Sequence, residues 1–147
     1  MPSAPPRLFL DANVFIAASA SSQEGSSLLI EFCQSGRATA LASKLVLRDA
    51  ERNIHYKLDD DALTRFYQLL ARLDPEIVPL PDSSEIQEAA MIVHEKDAHV
   101  LAAARSSSAD YLITLDQKHF LAEQITETIK PIVACTPGEF FKQFLAE

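Results

Sequence analysis

Four aspartates, Asp11, Asp49, Asp97 and Asp116, stand at widely separated points of the chain. Carboxylates gathered a few ångströms apart repel one another, so at least one pKa rises unless a cation is present. A hard divalent ion such as Mg2+ or Mn2+ takes oxygen ligands and keeps several waters. One such water becomes a nucleophile while the ion stabilises charge on phosphate oxygens, which suits phosphodiester hydrolysis. Each acid also has a structural reading. Asp11, Asp97 and Asp116 are placed to cap turns or helices. Asp49, in the run Arg48-Asp49-Ala50-Glu51-Arg52, suits a solvated helix face with local ion pairs. Their joint placement carries the argument.

That placement depends on the surrounding elements. Leu8-Phe9-Leu10 reads as a short apolar strand of the kind buried in a parallel sheet, and it stops at Asp11. A helical segment follows from Asn13. Another spans 24–35, with Leu28, Leu29, Phe32 and Cys33 on one face and Gly36 as its stop. A small-residue strand is expected over 38–42. Ser43 caps a helix to about Lys57, and Asp59 or Asp60 caps the next, to about Leu73. A short strand over 77–80 lies between prolines. Asp82 with Glu85 forms a capping box for a helix reaching about Glu95, and a further helix starts at or just after Asp97. Tyr111–Thr114 is a second buried-type strand, ending just before Asp116. Residues 131–134 form the last strand, and Thr136-Pro137-Gly138-Glu139 opens the last helix. The stretch 117–130 is the least regular.

Strands alternating with helices predict an α/β chain: a three-layer α/β/α sandwich around a mostly parallel sheet of four or five strands. Residues 1–6 are expected to be a disordered, proline-rich tail, and 7–147 a single domain. In such sheets ligands bind beyond the carboxyl ends of the strands. That rule brings all four acids to one edge, Asp49 arriving about one and a half turns into the helix after strand 38–42.

Composition removes several alternatives. Three glycines, Gly25, Gly36 and Gly138, cannot assemble a dinucleotide or P-loop phosphate cradle. A net charge of −8 argues against a sequence-blind DNA coat. It leaves room for a nuclease whose cations reverse the sign of an acidic pocket. Cys33 and Cys135 sit in apolar settings and read as core thiols of a reducing cytosol. Asp11 and Asn13 interrupt what would otherwise mimic a secretion signal, and no apolar run is long enough to span a membrane. A cytoplasmic protein is therefore expected.

The segments carrying the acids resemble the PIN-domain ribonucleases, a family that includes VapC-type toxins of toxin–antitoxin systems. RLFLDANVFIAA is similar to that family's first strand. SKLVLRDAERNI resembles its second motif, with Asp49 six residues after Ser43. KDAHVLAAARSSSADYLITLDQKHF resembles the third and fourth, and VACTPGEFFKQF the closing strand and helix. The resemblance runs from about Arg7 to Phe144. It implies that Asp11, Asp49, Asp97 and Asp116 hold one or two Mg2+ or Mn2+ ions and activate water for attack on RNA, leaving 5′-phosphate and 3′-hydroxyl ends. Asn13 and Thr114 would orient carboxylates or water. The second motif more often carries Glu, and Glu51 stands two residues beyond Asp49. Positions two apart face about 200° apart on a helix, so only one of the pair is expected at the site, with Asp49 favoured. An antitoxin protein is the partner this resemblance suggests, and a homodimer is compatible with it.

His94 and His99 lack the spacing of a zinc pair and read as structural or solvent-facing. Lys118 and His119 follow Asp116 and can touch a phosphate, and Arg48 and Arg52 can add a local basic rim for RNA. Two other functions compete with the nuclease. One is a degenerate domain that binds RNA or protein without cutting. The other is a phosphatase using Asp11 as a covalent nucleophile, disfavoured because Asn13 stands where such enzymes want a second Asp.

Overall fold

Leu8, Phe9 and Leu10 form the body of β1 (Arg7–Leu10), and all three side chains are fully buried. A strand covered on both faces has no solvent side, so its residues do not alternate with polar ones. The computed structural model describes residues 4–116 and 118–146. In it β1 has a parallel neighbour on each side, β2 (Thr39–Ala42) and β4 (Tyr111–Ile113). β3 (Glu76–Ile77) and β5 (Val133–Cys135) complete a five-stranded, all-parallel sheet in the order β3-β2-β1-β4-β5. Phe9 lies in register with Leu41 on one side and Leu112 on the other, at the centre of the core.

The helices are α1 (Ala12–Ala20), α2 (Gly25–Gln34), α3 (Lys44–Lys57), α4 (Asp60–Leu73), α5 (Ser83–Ala90), α6 (Ala98–Ser106), α7 (Glu123–Thr128) and α8 (Pro137–Ala146). α1 packs against α2, α3 and α4, while α5 packs against α6 as a separate pair. Crossovers between parallel strands are right-handed, so the reversal of direction after β3 sends α5 and α6 to the opposite face. The result is the expected α/β/α sandwich.

Several helix ends lie where the sequence places them, because their caps are local. Ser43 Oγ accepts from the Val46 N–H, and Asp59, rather than Asp60, accepts from the Ala62 N–H. The Asp82–Glu85 box forms in both directions, and Thr136 and Glu139 make the same reciprocal pair at α8. Gly36 ends α2 at φ 85°, a left-handed backbone that favours glycine, with its N–H on the Cys33 carbonyl.

Four differences have physical reasons. Residues 1–3 of the predicted tail lie outside the described residues, but its last member is tied down: the Pro6 carbonyl accepts from the Thr39 N–H at 2.9 Å. The strand expected over 77–80 pairs only at 76–77, since Pro79 and Pro81 have no N–H for a ladder. α5 ends at Ala90, not near Glu95. The chain turns there, burying Val93, and His94 Nδ1 accepts from the Lys96 N–H to open a 3-10 turn over Glu95–Asp97. The irregular stretch 117–130 contains α7, whose start has no side-chain cap and so left no signal.

Cys33 and Cys135 are free and buried, and burial pushes both thiols up to about 12, as core positions require. Among the described residues no helix is long and apolar enough to cross a membrane. Replacing Phe9 by Ala should lower the unfolding free energy by about 3–5 kcal/mol through the cavity it leaves, measured by urea denaturation. A loss under about 1 kcal/mol would contradict this account of the core.

Candidate active site

The sheet reverses direction at the boundary between β1 and β4, where an open parallel sheet leaves a crevice at its carboxyl edge. Asp11 leaves β1 there and Thr114 leaves β4. The two strand ends are locked together by the Asp11 N–H donating to the Ile113 carbonyl at 3.0 Å. Asp11 is only 8% exposed and Thr114 is fully buried. Thr114 Oγ1 donates to Asp11 Oδ2 at 2.9 Å, and it accepts from Asn13 Nδ2 at 3.2 Å and from the Asp116 N–H at 3.0 Å. Asp11 Oδ1 accepts from the Ala12 N–H at 2.8 Å, so this carboxylate is also the N-cap of α1. Asn13, in the first turn of α1, donates to Asp11 Oδ2 at 3.3 Å, and its Oδ1 accepts from the Leu115 N–H at 3.0 Å.

Asp97 enters from the 3-10 turn before α6, and Asp116 from the loop after β4. His119 lies between them. Its Nδ1 stands 3.0 Å from Asp97 Oδ2 and 2.9 Å from Asp116 Oδ2, its backbone N–H donates to Asp116 Oδ1 at 3.0 Å, and its ring stacks on His94 at 5.6 Å. Ligand-type atoms of Asp97, Asp116 and His119 all fall within 4.8 Å of one another. Asp97 Oδ2 is buried and has no properly directed hydrogen bond among the described residues.

The electrostatics match this crowding. Burial pushes the Asp11 carboxyl up to about 6, against the opposing hydrogen bonds from Thr114 and the Ala12 N–H, and the charges of Asp97 and Asp116 raise it further. Burial also raises Asp97, partly offset by His119. Two carboxyls held above their ordinary range, Asp11 and Asp97, and a buried Asp97 oxygen with no well-directed hydrogen bond among the described residues fit a hard divalent cation.

Asp11, Asp97 and Asp116 therefore converge, with Asn13 and Thr114 supporting them. Asp49 does not join that cluster. It is exposed on α3 and lines a neighbouring cleft of about 420 Å³ together with His99. Glu51 turns away toward α4, where it accepts from the Tyr67 hydroxyl at 2.7 Å. Arg48, Arg52 and Lys118 are exposed.

The histidines are the residues that sequence reasoning undervalued. His94 stacks on His119 at the cluster. His99 lines the cleft of Asp49, and burial lowers its pKa against the raising charges of Asp49 and Asp97. A search for zinc-type spacing on one helix misses them, because they come from different segments. Only the three-residue step from Asp116 to His119 was visible locally.

The sequence pattern of the PIN domain matches residues 7–118. No curated protein matches the chain. Among solved structures, the chain is similar to PAE2754 from Pyrobaculum aerophilum at 15% identity and a TM-score of 0.62, covering 98% of both chains. It is also similar to VapBC2 from Rickettsia felis, solved bound to a DNA fragment from their promoter, at 15% identity and a TM-score of 0.66. That match covers 88% of this chain and 98% of the other. FitAcB from Neisseria gonorrhoeae matches at 15% identity and a TM-score of 0.59, over 89% of this chain and 98% of the other. At these identities the likeness is one of fold. The matched pattern covers most of the sequence, and the chain belongs to the PIN domain family, whose members are generally nucleases.

Proposed function

We propose that the chain is a metal-dependent endoribonuclease that hydrolyses RNA phosphodiester bonds, with Asp11, Asp97 and Asp116 holding one or two Mg2+ or Mn2+ ions. One observation carries the reading: a buried Asp11 carboxylate, raised to about 6, shares the β1/β4 crevice with Asp97 and Asp116. A bound divalent cation supplies Lewis acidity, acidifying water and neutralising charge on phosphate oxygens. The chain's own residues do the positioning. Thr114 and Asn13 hold Asp11 Oδ2, the His119 N–H holds Asp116 Oδ1, and Thr114 keeps the two acids in one hydrogen-bonded unit.

Asp49 enters the proposal as a carboxylate acting through water, consistent with its exposure beside the cluster. Glu51, committed to Tyr67, takes no part. The VapC-type resemblance extends the proposal to a growth-controlling toxin held by an antitoxin protein, as a cytoplasmic homodimer. The exposure of Asp49 favours one second reading, a PIN domain that binds RNA or protein without cutting it.

Labelled single-stranded RNA incubated with purified protein separates these readings. Cutting is expected with Mn2+, to be abolished by EDTA, and to fall to background in Asp11→Asn and Asp97→Asn. Thr114→Val should lower Mn2+ affinity about 10–100-fold, read by calorimetry. Cutting that persists in EDTA, or a phosphate trapped on Asp11, would overturn the proposal. RNA bound but never cut would establish the second reading.

Acid–base linkage adds a further expectation. Asp11 binds its proton more tightly in the folded state, at about 6 against an ordinary value of 3.8. Metal-free stability is therefore highest below about pH 4 as far as this group is concerned, and falls as pH rises through about 6. The loss is on the order of 3 kcal/mol. Thermal unfolding from pH 4 to 7.5 should show this decline in the wild type and a shallower one in Asp11→Asn. Mn2+ should raise Tm at pH 7.5 far more than at pH 5. Equal slopes in the two proteins would rule the assignment out.

A further inference from the structure

Two clefts run side by side along α3. The first, about 420 Å³, is the one that holds Asp49 and His99, and Lys96 lies on its wall next to Asp97 in the chain. The second, about 350 Å³, lies between α3 and α4 and is lined by Tyr56, Tyr67 and His55. Arg48 and Arg52 line both, so the two form one track leading away from the carboxylate cluster. From Asp49 to Tyr56 the track follows two turns of helix, about 10 Å.

The charge and chemistry of this track differ from those of the rest of the molecule. α3 carries Lys44, Arg48, Arg52 and Lys57 against Asp49 and Glu51, a net +2 in a chain of net −8. Among the described residues the only other helix with a net positive charge is α6, at +1 from Arg105. Arg48, Arg52 and Lys96 form no ion pair among the described residues, and the one acid in the second cleft, Glu51, already accepts from the Tyr67 hydroxyl. At the far end Tyr56 is 78% exposed, its ring 5.0 Å from His55, and Tyr67 is half exposed. Unpaired cations beside exposed aromatic faces are what a single-stranded nucleic acid uses: phosphates track the cations and bases stack on the rings.

Building on the nuclease reading, we propose that the α3–α4 track is the substrate-binding groove for single-stranded RNA. Arg48, Arg52 and Lys96 contact phosphates, and Tyr56 stacks a base two helical turns along α3 from Asp49. The groove explains how a strongly acidic protein approaches a polyanion: α3 offers a local excess of cations, and divalent ions mask the acids beside them.

Fluorescence anisotropy of a labelled single-stranded RNA on the Asp11→Asn protein in EDTA reads binding without cutting. Tyr56→Ala should weaken binding about tenfold and Tyr56→Phe should retain it. Arg48→Gln with Arg52→Gln should reduce the slope of log affinity against log salt by about 1.4, since each single-strand phosphate contact contributes about 0.7. Unchanged affinity and slope in all three variants would overturn the groove, as would a wild-type protein that binds no RNA. So would variants that alter only self-association in sedimentation. The two proposals fail separately: RNA bound through Tyr56 and the arginines but never cut leaves the groove standing without the nuclease, and undiminished cutting by the same substitutions made with Asp11 intact, in Mn2+, does the reverse.

Discussion

Everything at the carboxyl edge of the sheet depends on one buried hydroxyl. Thr114 Oγ1 donates a hydrogen bond to Asp11 and accepts from Asn13 and the Asp116 N–H, so one side chain fixes residues from two strands. A carboxylate this buried is costly to ionise unless its oxygens are occupied. Three donors, Thr114, the Ala12 N–H and Asn13 Nδ2, reach its oxygens, and burial still holds the carboxyl above its ordinary value. The remaining demand for positive charge is the physical argument for a cation. A valine at 114, with the same shape and no hydroxyl, would take one donor from Asp11 Oδ2 and leave the Asp116 N–H without its acceptor.

That hydroxyl works only because β1 and β4 are neighbours. The chain winds outward from β1 to β3, crosses back, and lays β4 on the other flank of β1. The two strand ends then stand side by side with nothing between them. Asp11 serves both sides of this boundary, as the last element of the crevice and as the cap that starts α1. The cap reading and the chemical reading of that aspartate are therefore compatible, since one oxygen takes the helix N–H and the other faces Thr114. The same doubling holds for Asp116, which accepts from the His119 N–H while its second oxygen faces the imidazole.

The elements most legible from sequence were those with local causes. The apolar run 8–10, the capping Ser43, the Asp82–Glu85 box, and the Thr136–Glu139 start all act within a few residues. The strand near Ile77 is shorter than expected because Pro79 and Pro81 offer no ladder donors, and the end of α5 was missed because it depends on the burial of Val93 in the core. α7 had no cap to announce it. At the site, Asp11, Asp97 and Asp116 were legible from their positions after strands or before a helix. The separation of Asp49 from them was not, because helical spacing fixes which way a side chain faces but not how far its helix stands from a neighbouring strand.

From the sequence alone came the α/β class, the buried central strand, the acids and their supporting Asn13 and Thr114, since each is encoded by residue type and short-range spacing. Tertiary structure alone decided which of those acids meet, that His119 and His94 stand beside them, and that the cations of α3 share a track with Tyr56. Those facts depend on strand order and on the packing of helices far apart in the chain, and no short-range pattern carries that information.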